Sequence, residues 1–279
     1  MPSTLELPRR QLLAGGIALA ALPAEASQIT TPAQGLTAGE VSVPVGDFQM
    51  PAYRAQPAQA KGRLPVVLLV SEIFGVHAHI ADVARRFAHA GYLCIAPELF
   101  VRQGDAARQP DVQTLVREVI SKVPDAQVMA DLDACLAWAG ANGGDTRRVA
   151  VTGFCYGGRI TWLYSAHNPA VKAGVAWYGR LVGNASANTP KHPVDRVDQL
   201  HGPVLGLYGG QDGGIPNDTV ARMQNALQSA QNPKARVSEF VLYRDSPHAF
   251  HADYRPSYRE ADAKDGWARC LAWFRRHGV

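Results

Sequence analysis

Continuous apolar runs of strand length recur along the chain at Val66–Val70, Tyr92–Ala96, Val149–Thr152, Gly174–Tyr178, Val204–Tyr208 and Phe240–Tyr243. Unbroken apolar stretches, as opposed to alternating ones, mark strands buried on both faces, and so a mostly parallel sheet covered by helices. Segments with helical periodicity lie between them: Ile80–Ala90, Asp111–Ala141, Tyr156–His167, Asp218–Ala230 and Ser257–His277. Pro124 lacks the N–H that a helix interior requires and is expected to break the second. The last helix is expected to start on an S-x-x-E capping box, Ser257 and Glu260, whose side chains would satisfy first-turn amides. Strand and helix alternate throughout, which predicts an α/β fold built as a doubly wound sheet with helices on both faces.

Ahead of this pattern, Val41–Val45 and the stretch around Phe48–Arg54 predict an antiparallel hairpin at one sheet edge, where Pro44 is tolerated. No internal repeat or second domain is evident. Residues 41–279 are read as one domain and residues 27–40 as a linker.

The first residues follow another pattern. Pro8-Arg9-Arg10-Gln11-Leu12-Leu13 leads into the apolar run Ala14–Leu22, and Ala24-Glu25-Ala26 follows as a small-x-small cleavage motif. Residues 1–26 therefore read as a twin-arginine-like export signal, with the mature chain starting near Ser27 in the periplasm. The run is too short to span a bilayer stably. The alternative is an uncleaved N-terminal anchor.

The 279 residues suit one large α/β domain, and 47% hydrophobic against 19% charged residues excludes disorder. The net charge of +4 is spread along the chain, with no stripe for nucleic acid. A monomer or small homo-oligomer is expected. The cysteines, Cys94, Cys135, Cys155 and Cys270, lack the spacing of a disulfide scaffold or zinc site. Cys94, Cys135 and Cys270 read as small buried hydrophobes.

Cys155 differs. Strand Val149–Thr152 runs into Gly153-Phe154-Cys155-Tyr156-Gly157-Gly158, after which a helix begins. This G-x-C-x-G between strand and helix is the pattern of a nucleophile elbow, with cysteine in place of serine. A thiol at a helix start faces the positive end of the helix dipole, which favours negative charge. The elbow predicts an acid and then a histidine on later strand ends. Asp212 follows Val204–Tyr208 and His248 follows Phe240–Tyr243. His248 would share the thiol proton and Asp212 would orient the imidazole. Asp195, Asp198 and Asp245 are rival acids; His201 and His251 are rival histidines.

Five segments together resemble the dienelactone hydrolases (carboxymethylenebutenolidases): Ser71–Val76, Ala96–Arg102, Gly153–Gly158, Gly209–Asp212 and His248–Phe250. The resemblance runs from about Val41 to the end and implies an α/β-hydrolase fold. It implies that Glu72 lies beside the nucleophile and responds to substrate, helping to convert thiol to thiolate. It also implies an oxyanion hole from the amides of Ile73 and Tyr156. Arg102 matches one arginine that holds the substrate carboxylate in this family. At the second such position this sequence has Ala252, with Arg255 the nearest replacement; a loop salt bridge of Arg255, for example with Asp253, is the alternative. Tyr178 ends a strand and would line the pocket or sit in the core.

The expected reaction is opening of a lactone or small ester through a thioester acyl-enzyme, with no cofactor. A broad small-ester carboxylesterase without dienelactone activity is the runner-up. Three other classes are weighed. His77 and His79 with His248 and His251 could suggest a metal, although His77 matches a family loop position. A thiol-redox protein would need a resolving cysteine near Cys155. A non-catalytic binding protein is disfavoured because all triad types are present.

Overall fold

A computed structural model describes residues 28–279. Its strands are β1 (Leu36–Val45), β2 (Phe48–Pro57), β3 (Leu64–Val70), β4 (Leu93–Pro97), β5 (Gly144–Phe154), β6 (Val171–Trp177), β7 (Val204–Gly209) and β8 (Glu239–Tyr243). The helices are α1 (Ala78–His89), α2 (Val112–Glu118), α3 (Asp125–Ala141), α4 (Tyr156–His167), α5 (Asn217–Ser229), α6 (Pro233–Arg236) and α7 (Glu260–Arg276). One sheet of eight strands has the order β1-β2-β4-β3-β5-β6-β7-β8. β2 runs antiparallel to β1 and β4, and the remaining pairs are parallel.

The apolar runs are buried because the sheet has a core on each side. Side chains sort by strand parity, as a two-residue period requires. Val67, Leu69, Cys94, Ala96 and Ala150 pack with Phe87 of α1 and Phe274 of α7. Val66, Leu68, Leu93, Ile95 and Val151 face Leu132 and Cys135 of α3 and Ile160 of α4. Cys94, Cys135 and Cys270 are buried free thiols, with burial the main cause raising the pKa of each. No helix among the described residues is long and apolar enough to cross a membrane.

The structure corrects three expectations. The domain begins within the segment read as a 27–40 linker: Leu36–Glu40 are paired in β1, and Ile29 and Thr31 donate to Asp253 and Asp82. Leu36-Thr37-Ala38-Gly39-Glu40 has little strand character of its own, and its pairing is supplied by β2. Ser257 does not cap the last helix: α7 starts at Glu260 after Arg259, and the Ser257 hydroxyl donates to the Ala249 carbonyl at 3.3 Å. The second helical segment breaks before Pro124 as well as at it, ending α2 at Glu118 and passing through a 3-10 turn, Ile120–Lys122, before Pro124 opens α3. The segments read for residues 1–27 lie outside the described residues.

All parallel strands end on one edge of the sheet, the edge where open α/β sheets bind ligands. Glu72 lies just beyond β3, Cys155 beyond β5, Tyr178 beyond β6, Asp212 beyond β7 and His248 beyond β8.

Candidate active site

Cys155 joins β5 to α4 with φ 54° and ψ −110°. A side chain at positive φ costs of order 1–3 kcal/mol and persists only where its surroundings enforce it. Here the enforcement is backbone packing. A β-carbon on Gly153 would stand 2.5 Å from the Gly157 carbonyl, and one on Gly157 would overlap the Val70 carbonyl. The Cys155 amide donates to the Trp177 carbonyl at 3.0 Å, pinning the turn to β6. One turn into α4, the buried Arg159 makes a two-pronged bond to Asp125 at 2.6 and 2.7 Å and so fixes the start of the helix.

The acid and the imidazole meet. His248 Nδ1 lies 2.6 Å from Asp212 Oδ2, and Asp212 Oδ1 accepts the Gly214 and Ile215 amides at 2.9 and 3.1 Å. Burial is the largest influence on His248 and disfavours its cation. Hydrogen bonds to Asp212 and Cys155, with the charges of both, outweigh it and lift the pKa to about 10. Three of the five rivals are engaged elsewhere: Asp195 accepts the His192 amide at 2.9 Å, Asp198 accepts the Gln231 amide at 2.8 Å, and His251 stacks in the core on Phe154, centroids 4.8 Å apart.

Tyr156 is the first residue of α4, where an amide has no intrahelical acceptor. Among the described residues the Ile73 amide donates to no backbone acceptor. Neither amide is used by the backbone hydrogen bonds of the described residues. Tyr178 is fully buried at φ 37°, with its ring edge-on to His248 at 5.1 Å between centroids. It therefore belongs both to the core and to the wall of the site.

Glu72 is 2% exposed, and its Oε2 meets His77 Nε2 at 2.9 Å and the Tyr254 hydroxyl at 3.1 Å. Burial pushes this carboxyl up, yet it is held down at about 2 by the His77 hydrogen bond and charge, then by the charges of His79 and Arg255. Sequence reasoning missed Tyr254 and gave His77 no role in the chemistry. His77 could have been found from its spacing, five residues after Glu72 across a turn at Gly75, φ 75°. Tyr254 is 182 positions away and left no such trace.

The two arginines differ. Arg102 pairs with the buried Asp131 of α3, and its guanidinium lies over the Phe48 ring at 5.0 Å. Arg255 lies over Phe74 at 5.2 Å and Tyr254 at 5.8 Å, and its charge reaches Glu72 and Tyr178. It does not pair with Asp253, which is taken by His79 at 2.9 Å and Arg86 at 3.0 Å. The loop thus returns Arg255 to the site although its position is three residues beyond Ala252. The four histidines of the weighed metal reading have other neighbours: His77 is on Glu72, His79 on Asp253, His248 on Asp212 and His251 on Phe154.

Known proteins resemble this chain in sequence and fold. A protein of Methylorubrum extorquens, provisionally named a carboxymethylenebutenolidase, is 58% identical over 269 residues, 96% of this chain and 91% of its own. One from Salmonella typhimurium with the same provisional name is 56% identical over 263 residues, covering 94% of this chain and 96% of its own. A crystal structure from Klebsiella pneumoniae, provisionally titled a dienelactone hydrolase, superposes with a TM-score of 0.84 at 57% identity, over 86% of this chain and 99% of that one. The family model described as "Dienelactone hydrolase family" matches residues 50–278. With the α/β-hydrolase sheet, the elbow and these relatives in place, the chain belongs to the dienelactone hydrolase family.

Proposed function

We propose that this hydrolase opens a lactone or small ester by nucleophilic catalysis at Cys155, with His248 as acid–base and Asp212 as its orienting partner. The observation that carries this reading is the Cys155 elbow, strained at φ 54°, interacting with a His248 imidazole bonded to Asp212. Sγ attacks the carbonyl carbon, and the adduct oxyanion is stabilised by the amides of Ile73 and Tyr156. Collapse breaks the carbon–oxygen bond, His248 protonates the leaving oxygen and a thioester remains. His248 then takes a proton from water, whose attack releases the acid and regenerates the thiolate. Glu72 supplies a carboxylate beside the thiol that substrate binding can displace.

A second reading, a broad small-ester carboxylesterase without dienelactone activity, is favoured by one observation: Arg102, matched to a carboxylate-binding position, is spent on Asp131, and the other such position is Ala252. The discriminating experiment is hydrolysis of a neutral aryl ester and a carboxylated enol-lactone by wild type, Cys155→Ala and Cys155→Ser. Preference for the lactone, with Cys155→Ala inactive, supports the first reading; cleavage of the ester alone supports the second. Activity unchanged in Cys155→Ala overturns both. The protein is further proposed to act in the periplasm, exported by the twin-arginine-like segment at residues 1–26. Cell fractionation of wild type and an Arg9→Lys/Arg10→Lys variant tests this, with retention of the variant in the cytoplasm expected.

A further inference from the structure

The two oxygens of Glu72 are treated unequally. Oε2 receives His77 at 2.9 Å and Tyr254 at 3.1 Å, whereas Oε1 is buried with no partner among the described residues. The rings of His77 and Tyr254 meet edge-on, centroids 4.9 Å apart, so the two donors brace each other. The side chain of His77 is 26% exposed against 2% for Glu72, making it the link between the buried carboxylate and solvent. Cys155 shares this pocket: Tyr178 and Tyr254 each feel the charges of both Glu72 and Cys155.

We infer that His77, outside the Cys155–His248–Asp212 set, is a positioning residue that holds Glu72 as an anion in the resting site, within reach of the same two tyrosines as Cys155. The site then contains two imidazole–carboxylate pairs, one acting on the thiol through a proton and the other through a field. The inference rests on Cys155 being the reactive thiol. The groups facing Glu72 are His77 and His79 from the start of α1, Tyr254 and Arg255 from the loop after β8 and Tyr178 after β6, and Cys155 acts on the same Tyr178 and Tyr254. His77 is the strongest of those that stabilise its charge. Without His77, burial dominates and Glu72 titrates in the accessible range, since buried carboxyls rise by up to about 3–5 units.

The test is the pH dependence of Cys155 alkylation by iodoacetamide between about pH 4 and 9, in which the thiolate displaces iodide and forms a carbon–sulfur bond. The other three cysteines are buried, so the reaction reports on Cys155. Wild type should show no step from Glu72 in this range. In His77→Leu an added step is expected: alkylation is roughly tenfold faster on its acid side, where neutral Glu72 no longer opposes the thiolate, than extrapolation from its basic side. His77→Gln keeps a hydrogen-bond donor toward Glu72, and its step should fall at lower pH than that of His77→Leu. The double variants with Glu72→Gln should lose the step. Folded His77 variants with no step, or a step that survives Glu72→Gln, overturn the inference. Because alkylation needs no turnover, its outcome is separate from the hydrolysis test of Cys155→Ala.

Discussion

The α-carbon of Gly157 lies against the carbonyl of Val70, with no room between them for a β-carbon. The start of α4, and with it the Tyr156 amide, is therefore set by the end of β3. Gly157→Ala should destabilise the fold by about 1–3 kcal/mol through overpacking. A misplaced amide of about 1 Å should also lower kcat/KM for an aryl ester roughly a hundredfold. Gly213→Ala, where a β-carbon meets open space, should change stability by less than about 0.5 kcal/mol. Denaturant melts and ester kinetics on the two variants check the contrast.

The raised pKa of His248 has a definite sign. Its cation is favoured in the folded state, so the associated stability is fully present below the ordinary imidazole range near 6.5 and is lost as pH rises through about 10. Activity that needs the imidazolium to protonate the leaving oxygen should fall over the same upper limb. In Asp212→Asn the carboxylate charge that helps raise the pKa is gone and the remaining bond is to a neutral amide, so the limb should move to lower pH. Profiles of kcat/KM from about pH 6 to 11 measure it; an unmoved limb would count against the pairing.

Arg102 and Arg255 should fail in different ways when truncated. Arg102→Ala strands Asp131, which is 0% exposed, and should cost about 3 kcal/mol of stability while lowering activity on neutral and anionic substrates alike. Arg255→Ala should leave stability within about 0.5 kcal/mol and weaken only carboxylated substrates, roughly tenfold or more in KM. Paired melts and kinetics on one neutral and one anionic substrate separate them.

Asp253 holds the loop that carries Tyr254 and Arg255. It is 2% exposed and joins His79, Arg86 and the Ile29 amide. Asp253→Ala leaves the buried His79 unpaired and Arg86 with Asp82 alone, and should cost about 3 kcal/mol. Its carboxyl lies below the ordinary range: burial raises it, and the His79 hydrogen bond with the charges of His79 and Arg86 outweighs that. The stability it adds is therefore present above the ordinary Asp range and is lost as pH falls through its depressed value. In melts, the gap between wild type and variant should be smaller at pH 3 than at pH 7.

Strands buried on both faces were legible because burial leaves continuous apolar runs, and α4 is bounded by Tyr156 and His167 as its pattern predicts. What was hidden depended on partners. β5 begins at Gly144, five residues before its apolar run, because Asp145, Arg147 and Arg148 form ion pairs at that end and are not part of the core. β1 extends back to Leu36 because β2 pairs with it, the added Thr37-Ala38-Gly39-Glu40 being small or polar. At the site, glycines and strand ends marked Cys155, Asp212 and His248, since the elbow needs those residues in that local order. The clamp on Glu72 was not written locally: Tyr254 arrives from a distant connection, and the course of Arg255 depends on Asp253 being tied to α1.

The connection from β8 to α7 carries His248, Tyr254 and Arg255, whereas the elbow and the open amides belong to the sheet. Along that connection His248 stands near the β8 end, and Tyr254 and Arg255 lie six and seven residues further on. For protein engineering, that connection is a cassette: exchanging residues 249–258 against another family member would rewrite which esters are accepted without touching the nucleophile. The graft would have to keep several fastenings: a residue at position 253 that meets His79 and Arg86, and side chains at 250 and 251 that fill the core beside Phe154 and Trp177.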